Sequence, residues 1–119
     1  METLKQEILR IRNTCLWSLE GWLETWRGEK SLQQWTGVNV LSILLSLFVE
    51  METGERALIY ALGLLVLAAE LINTAVEHTV DYISEDQHPM AKKAKDAASA
   101  CVAMTALAGG VAWFVVLWG

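Results

Sequence analysis

The chain has 119 residues, the size of one domain, and its 54% apolar composition with a single proline gives it more long uncharged runs than a small soluble domain needs. A net charge of −5, with Lys92, Lys93 and Lys95 set beside acids and no basic stripe anywhere, excludes a nucleic-acid partner. Its cysteines, Cys15 and Cys101, lie at no metal or redox spacing, so neither a cysteine metal site nor a disulfide is expected.

Leu4, Ile8, Ile11, Cys15, Leu19, Trp22 and Trp26 recur at steps of three and four, which predicts an amphipathic helix over residues 1–29. Lys5, Glu7, Arg10, Arg12, Glu20 and Glu24 fill its other face. A helix of this kind lies in the membrane interface or across the cytoplasmic ends of membrane spans. It lacks the apolar core and small-residue cleavage site of a signal peptide, so the first span is expected to stay in the mature protein.

Three runs follow, at residues 31–49, 57–76 and 97–119. Each holds about 20 residues, enough to cross the hydrocarbon core as a helix. The first is the least apolar, with Gln33, Gln34 and Asn39, and the second is broken only by Glu70. No run alternates with period two, which argues against a barrel. The second helix should continue past Glu77 to about Ile83, because nothing before Ser84 breaks it. Residues 77–96 then form a cytoplasmic helix end and loop, with Pro89 at or just before the next helix start. That last helix carries Ser99, Ala103, Ala106, Ala108, Gly110 and Ala112, small residues that let helices approach closely in lipid. The expected fold is therefore all-α and membrane-integral: one domain over 1–119, with three transmembrane helices and an N-terminal surface helix. Lys and Arg are concentrated before the first span and in the 77–96 loop, which places the N-terminus and that loop in the cytoplasm and the C-terminus outside. Trp22, Trp26 and Trp35 then fit an inner aromatic belt, and Trp113 and Trp118 an outer one.

Glu70 closes thirteen uncharged residues, 57–69. A carboxylate there is costly in lipid, and such residues mark functional sites. Glu70, Asn73, Glu77 and Asp81 follow at i, i+3, i+7 and i+11, so they share a helical stripe about 80° wide. A helix whose polar end merely enters water accounts for Glu77 and Asp81, but not for Glu70. Glu29, Arg10, Lys95 and Asp96 can join the stripe at the cytoplasmic surface. Carboxylates suit a hard divalent cation such as Mg²⁺, and Arg and Lys suit phosphate oxygens. Together they point to phosphoryl transfer. No phosphate-binding Gly-rich loop and no His-Glu-x-x-His motif is present, and His78 and His88 are too far apart to form a helical zinc pair.

The pattern Glu70-x-x-Asn73-Thr74-Ala75-x-Glu77-x-x-x-Asp81, with Ala94-Lys95-Asp96-x-x-Ser99-Ala100 after it, resembles the signature of the prokaryotic diacylglycerol kinases. Arg10, Ser18, Gly21, Trp26, Glu29, Trp113 and Trp118 match at the expected separations, so the resemblance covers nearly the whole chain. It implies a homotrimer with composite active sites in the bacterial cytoplasmic (inner) membrane. It implies transfer of the γ-phosphate of ATP, with Mg²⁺, to the hydroxyl of diacylglycerol. Carried over, Glu70 is the general base, and Glu29 and Glu77 hold the metal on the ATP phosphates. Arg10, Trp17, Lys95 and Asp96 contact the nucleotide, and Asp86, Gln87 and His88 form the loop over it. Trp26, Ser31, Leu32, Gln33, Gln34, Trp35, Phe48, Arg56, Ser99, Trp113 and Trp118 line the lipid groove. Asn73 and Asp81 are supporting polar groups. Trp17 stands where a Tyr is usual, Gln33 where a basic residue is, and Trp35 where an acidic one is common, departures that bear on acceptor preference. The rival readings are undecaprenol kinase of the same family, a non-enzymatic membrane scaffold, and a cation or proton pathway. The uncharged outer halves of the spans argue against the last.

Overall fold

The computed structural model describes residues 1–119 and is entirely helical: α1 (Glu2–Gly28), α2 (Lys30–Ser46), α3 (Thr53–Ile83) and α4 (Pro89–Trp118). One extended residue, Glu29 (φ −122°, ψ 111°), separates α1 from α2. Its N–H still bonds to the Thr25 carbonyl at 2.8 Å, closing α1 before the chain redirects. Glu52 and Glu55 form a reciprocal capping box at the start of α3. At the start of α4, His88 Nδ1 accepts the Met90 N–H at 3.0 Å and Pro89 occupies the first turn, where its missing N–H costs nothing.

α3 and α4 are the two helices long and apolar enough to cross a membrane. The first expected span, 31–49, is different: α2 stops at Ser46 after 17 residues, roughly 25 Å at 1.5 Å per residue. Tertiary contacts end it. Ser46 Oγ donates back to the Ile43 carbonyl at 2.6 Å and meets Tyr60 Oη at 2.7 Å. Arg56 Nη1 donates to the Ser46 carbonyl at 2.7 Å, satisfying an oxygen that further helix would have used. α3 starts at Thr53, four residues before the apolar run, because the capping box nucleates it there.

α3 packs most extensively on α4, and next on α2. Ile59, Val66, Ala69, Val102 and Ala112 supply buried apolar contacts. Asn39 Nδ2 ties α2 to α3, donating to the Gly63 carbonyl at 3.0 Å and to the Trp35 carbonyl at 3.2 Å. Trp113 Nε1 ties α4 to α2 through Ser42 Oγ at 2.8 Å. A Cβ at position 63 would meet Asn39 Oδ1, so any larger residue there displaces the amide that crosses from α2. Gly63→Ala is therefore expected to lower stability by about 1 kcal/mol, the scale of an interhelical polar contact in lipid. Unfolding in detergent micelles checks it. Adding Gly63→Ala to Asn39→Ala should cost nothing more, and additive losses would show that the two sites are independent.

Only ten of the 119 residues are buried, and none of them lies in α1. Leu4, Ile8, Ile11 and Leu19, the apolar face read from the sequence, are all more than half exposed. The chain alone thus leaves most of its apolar surface for something else to cover.

Candidate active site

The one buried carboxylate is Glu70, 3% exposed in the second half of α3. Ser31 Oγ, from the first turn of α2, donates to Glu70 Oε1 at 2.5 Å. Asn73 and Thr74, one turn on, are also buried. Asn73 Nδ2 donates to Glu77 Oε1 at 3.2 Å, while Asn73 Oδ1 is buried with no donor. Glu70, Asn73 and Glu77 thus form a continuous polar stripe that passes from full burial to half exposure. His78, largely exposed, brings Nε2 to 3.5 Å from Glu29 Oε1, so the residue that breaks α1 from α2 leans on this same stretch of α3.

No cluster of three or more His, Cys, Asp or Glu side chains surrounds a common point. Mg²⁺ does not need one, because it keeps several waters and takes one or two carboxylates plus substrate phosphates. Glu77, with the unsatisfied Asn73 Oδ1 beside it, offers hard oxygen donors of that kind. The residues present therefore fit a phosphate-bound Mg²⁺.

Beyond the stripe, the end of α3, the 84–88 loop and the start of α4 enclose a polar cleft of about 680 Å³. Asp81, Asp86, Gln87, His88, Lys95 and Asp96 all line it. Its size is in the range of small-molecule sites. Lys95 Nζ donates to Asp81 Oδ1 at 2.6 Å, and Lys92 pairs with Asp96. The hydrogen bond to Asp81 holds the Lys95 ammonium above its usual pKa; burial opposes it, and the charges of Asp81 and Glu77 add to the rise. Lys95 is therefore held as an ammonium, paired with Asp81 in a cleft that also holds Lys92, Glu85, Asp86 and Asp96.

A second groove, of about 560 Å³ and mostly apolar, runs between α2, α3 and α4 and brings together Trp35 and Trp113. The other groove residues named from the sequence are scattered. Leu32 is fully buried. Gln33 Nε2 donates to the Trp26 carbonyl at 2.7 Å. Gln34 and Ser99 face outward. Phe48 is 87% exposed in the turn after α2. Arg56 caps α2, and Trp118 packs on Phe114 with ring centroids 5.2 Å apart. Arg10 and Trp17 stay apart from the cleft: Arg10 pairs with Glu7 on its own exposed helix at 2.8 Å, and Trp17 lines a small hollow with Glu20, Gly21, Glu24 and Arg27. Sequence reasoning gave His78 no part beside Glu29 and gave Ser31 no link to Glu70. Neither contact leaves a local signal, because each depends on how α2 meets α3.

Comparison with known proteins shows a family. The family model described as prokaryotic diacylglycerol kinase matches residues 16–117. A diacylglycerol kinase of Pseudomonas aeruginosa is 42% identical over 112 residues, covering 92% of this chain and 89% of that protein. The diacylglycerol kinase of Escherichia coli K12 is 27% identical over 109 residues, with the same coverage. An undecaprenol kinase of Bacillus subtilis is 34% identical over 103 residues, covering 87% and 84%.

Proposed function

We propose that this chain, a lipid kinase that belongs to the prokaryotic diacylglycerol kinase family, transfers the γ-phosphate of ATP to the hydroxyl of diacylglycerol at the cytoplasmic face of a bacterial inner membrane. One observation carries the reading: a buried carboxylate, Glu70, heads a polar stripe on a helix apolar enough to cross a membrane, and that stripe leads to a polar cleft where Lys92 and Lys95 stand among carboxylates. A lipid hydroxyl and a nucleotide phosphate come from opposite sides of such a boundary. Glu70 sits where the first arrives, and Lys95 where the second does.

The proton of the acceptor hydroxyl passes to Glu70, whose burial keeps water from competing for it. Asp86, Gln87, His88, Lys95 and Asp96 hold the nucleotide from α4 and its preceding loop. Glu77, two turns or roughly 10.5 Å from Glu70 along the helix, and Glu29 would hold Mg²⁺, with Asn73 supporting Glu77. When bound there, the ion would supply positive charge to offset that of the phosphates. Glu29→Ala and Glu77→Ala are each expected to raise the Mg²⁺ needed for half-maximal rate by roughly ten-fold or more. Mg²⁺ titrations at saturating ATP check this, and curves that superimpose on that of the unaltered protein would remove both residues from the metal site.

Three spans complete the reading. α2, with 17 residues, is at the short end of the crossing range, and the turn after it would complete the crossing. α1 lies along the inner surface, and the chain assembles as a homotrimer. Supporting this, α1 finds no burial within its own chain, and Arg10 and Trp17 stay off the cleft they would serve.

Undecaprenol is the second reading for the acceptor, because the Bacillus subtilis undecaprenol kinase is closer in identity to this chain than the Escherichia coli diacylglycerol kinase is. Diacylglycerol is preferred on the 42% identity to the Pseudomonas aeruginosa protein. Purified protein in mixed micelles, given each acceptor in parallel, decides it. A higher kcat/KM for diacylglycerol supports the proposal, and a higher value for undecaprenol replaces it with the second reading.

A further inference from the structure

Hydroxyls on these helices have a common habit. Those of Thr14, Ser18, Thr25, Thr36, Thr79 and Thr105 each donate to the carbonyl four residues back on their own helix. Ser31 does not. The break at Glu29 puts Ser31 on the second residue of α2, where no carbonyl of its own helix lies four residues back. Its hydroxyl is therefore free to cross to α3, and it donates to Glu70 Oε1 from 39 residues away in sequence.

The consequence falls on Glu70. Its side chain has three rotatable bonds and sits where almost no water can solvate it. Ser31 is the one hydrogen-bond partner the chain gives it. Fixing Oε1 removes the freedom to swing and leaves Oε2 as the oxygen free to face an acceptor. We propose that Ser31 is a positioning residue for proton transfer: it clamps one oxygen of Glu70 so that the other meets the lipid hydroxyl. This rests on the reading of Glu70 as the base. It assigns Ser31 a role separate from lining a lipid groove. During transfer the acceptor oxygen bonds to the γ-phosphorus, the bond from that phosphorus to the bridging oxygen breaks, and ADP leaves. The acceptor's proton goes to Glu70 Oε2, and the Ser31 proton stays on Oγ throughout.

Ser31→Thr and Ser31→Val separate the hydroxyl from the volume, since the two side chains have nearly the same shape and only Thr can donate. Both are measured in mixed micelles for kcat and for KM toward MgATP and lipid, alone and in a Glu70→Gln background. The expected result is a kcat lowered roughly ten-fold or more in Ser31→Val, the scale of a lost hydrogen bond to a charged group, with both KM values nearly unchanged. Ser31→Thr should recover most of the loss. In the Glu70→Gln background, Thr and Val should give the same residual rate, because the clamp then has no base to aim. Equal kcat for Thr and Val on the unaltered background overturns the proposal, as does a change confined to lipid KM. A Val deficit that persists undiminished in Glu70→Gln overturns it too, because the effect would then not pass through Glu70. Failure of the underlying reading looks different: Glu70→Gln alone would keep normal turnover.

Discussion

Replacing Glu70 by glutamine is expected to lower turnover on the order of a thousand-fold, the contribution of a positioned proton acceptor, with little change in folding or in ATP affinity. The amide keeps the volume of the carboxylate, and its oxygen still accepts the Ser31 hydrogen bond, so the α2–α3 contact survives. It cannot take a proton. The cleft proposed for the nucleotide begins about three turns further along α3 and draws its lining from the end of that helix, the loop and α4, so ATP should bind as before. A loss of kcat with KM for ATP unmoved identifies an interaction made only in the transition state. Near-normal turnover in Glu70→Gln would mean that the buried carboxylate is structural.

The second large effect concerns how the site is completed. Arg10 is expected to serve a cleft on a neighbouring copy. In its own chain it pairs only with Glu7, and the helix that carries it is nowhere buried. Arg10→Ala should then weaken turnover at least ten-fold through a lost charged contact, and Glu70→Gln leaves only about the thousandth part expected above. Co-assembling the two variants mixes chains that each lack a different residue. If a site takes Arg10 from one chain and Glu70 from another, random mixing leaves roughly a quarter of the sites intact. Activity near that fraction of the unaltered protein, where simple averaging of the parents gives far less, is the predicted outcome. Mixed assemblies no better than that average would place both residues in one chain.

Much of this was legible in the sequence because it rests on local chemistry. Ser84 and Pro89 mark where α3 ends and α4 begins, since proline is favoured in the first helical turn. The uncharged run before Glu70 set it apart as a carboxylate in an apolar setting, and its helical spacing from Asn73 and Glu77 put the three on one face. Contacts between distant segments were not legible. The end of α2 at Ser46 depends on Arg56 and Tyr60 from the next helix, which no pattern within 31–49 reveals. The early start of α3 depends on a Glu-x-x-Glu capping box, a weaker signal than one opened by Ser or Thr. The Ser31–Glu70 bond required the geometry of the break at Glu29 as well as the packing of α2 on α3. Glycine at position 63 looked like any small residue of a span until Asn39 was seen crossing it.

The account stands on phosphoryl transfer from ATP to a lipid hydroxyl, and following the phosphate tests that claim most directly. Purified protein in mixed micelles is given ATP labelled at the γ-phosphate, Mg²⁺ and diacylglycerol, and labelled lipid is counted against ADP formed. The account predicts one labelled phosphatidic acid for each ADP, in the unaltered protein and, at a far lower rate, in Glu70→Gln. ADP released without labelled lipid, with either acceptor present, would contradict it.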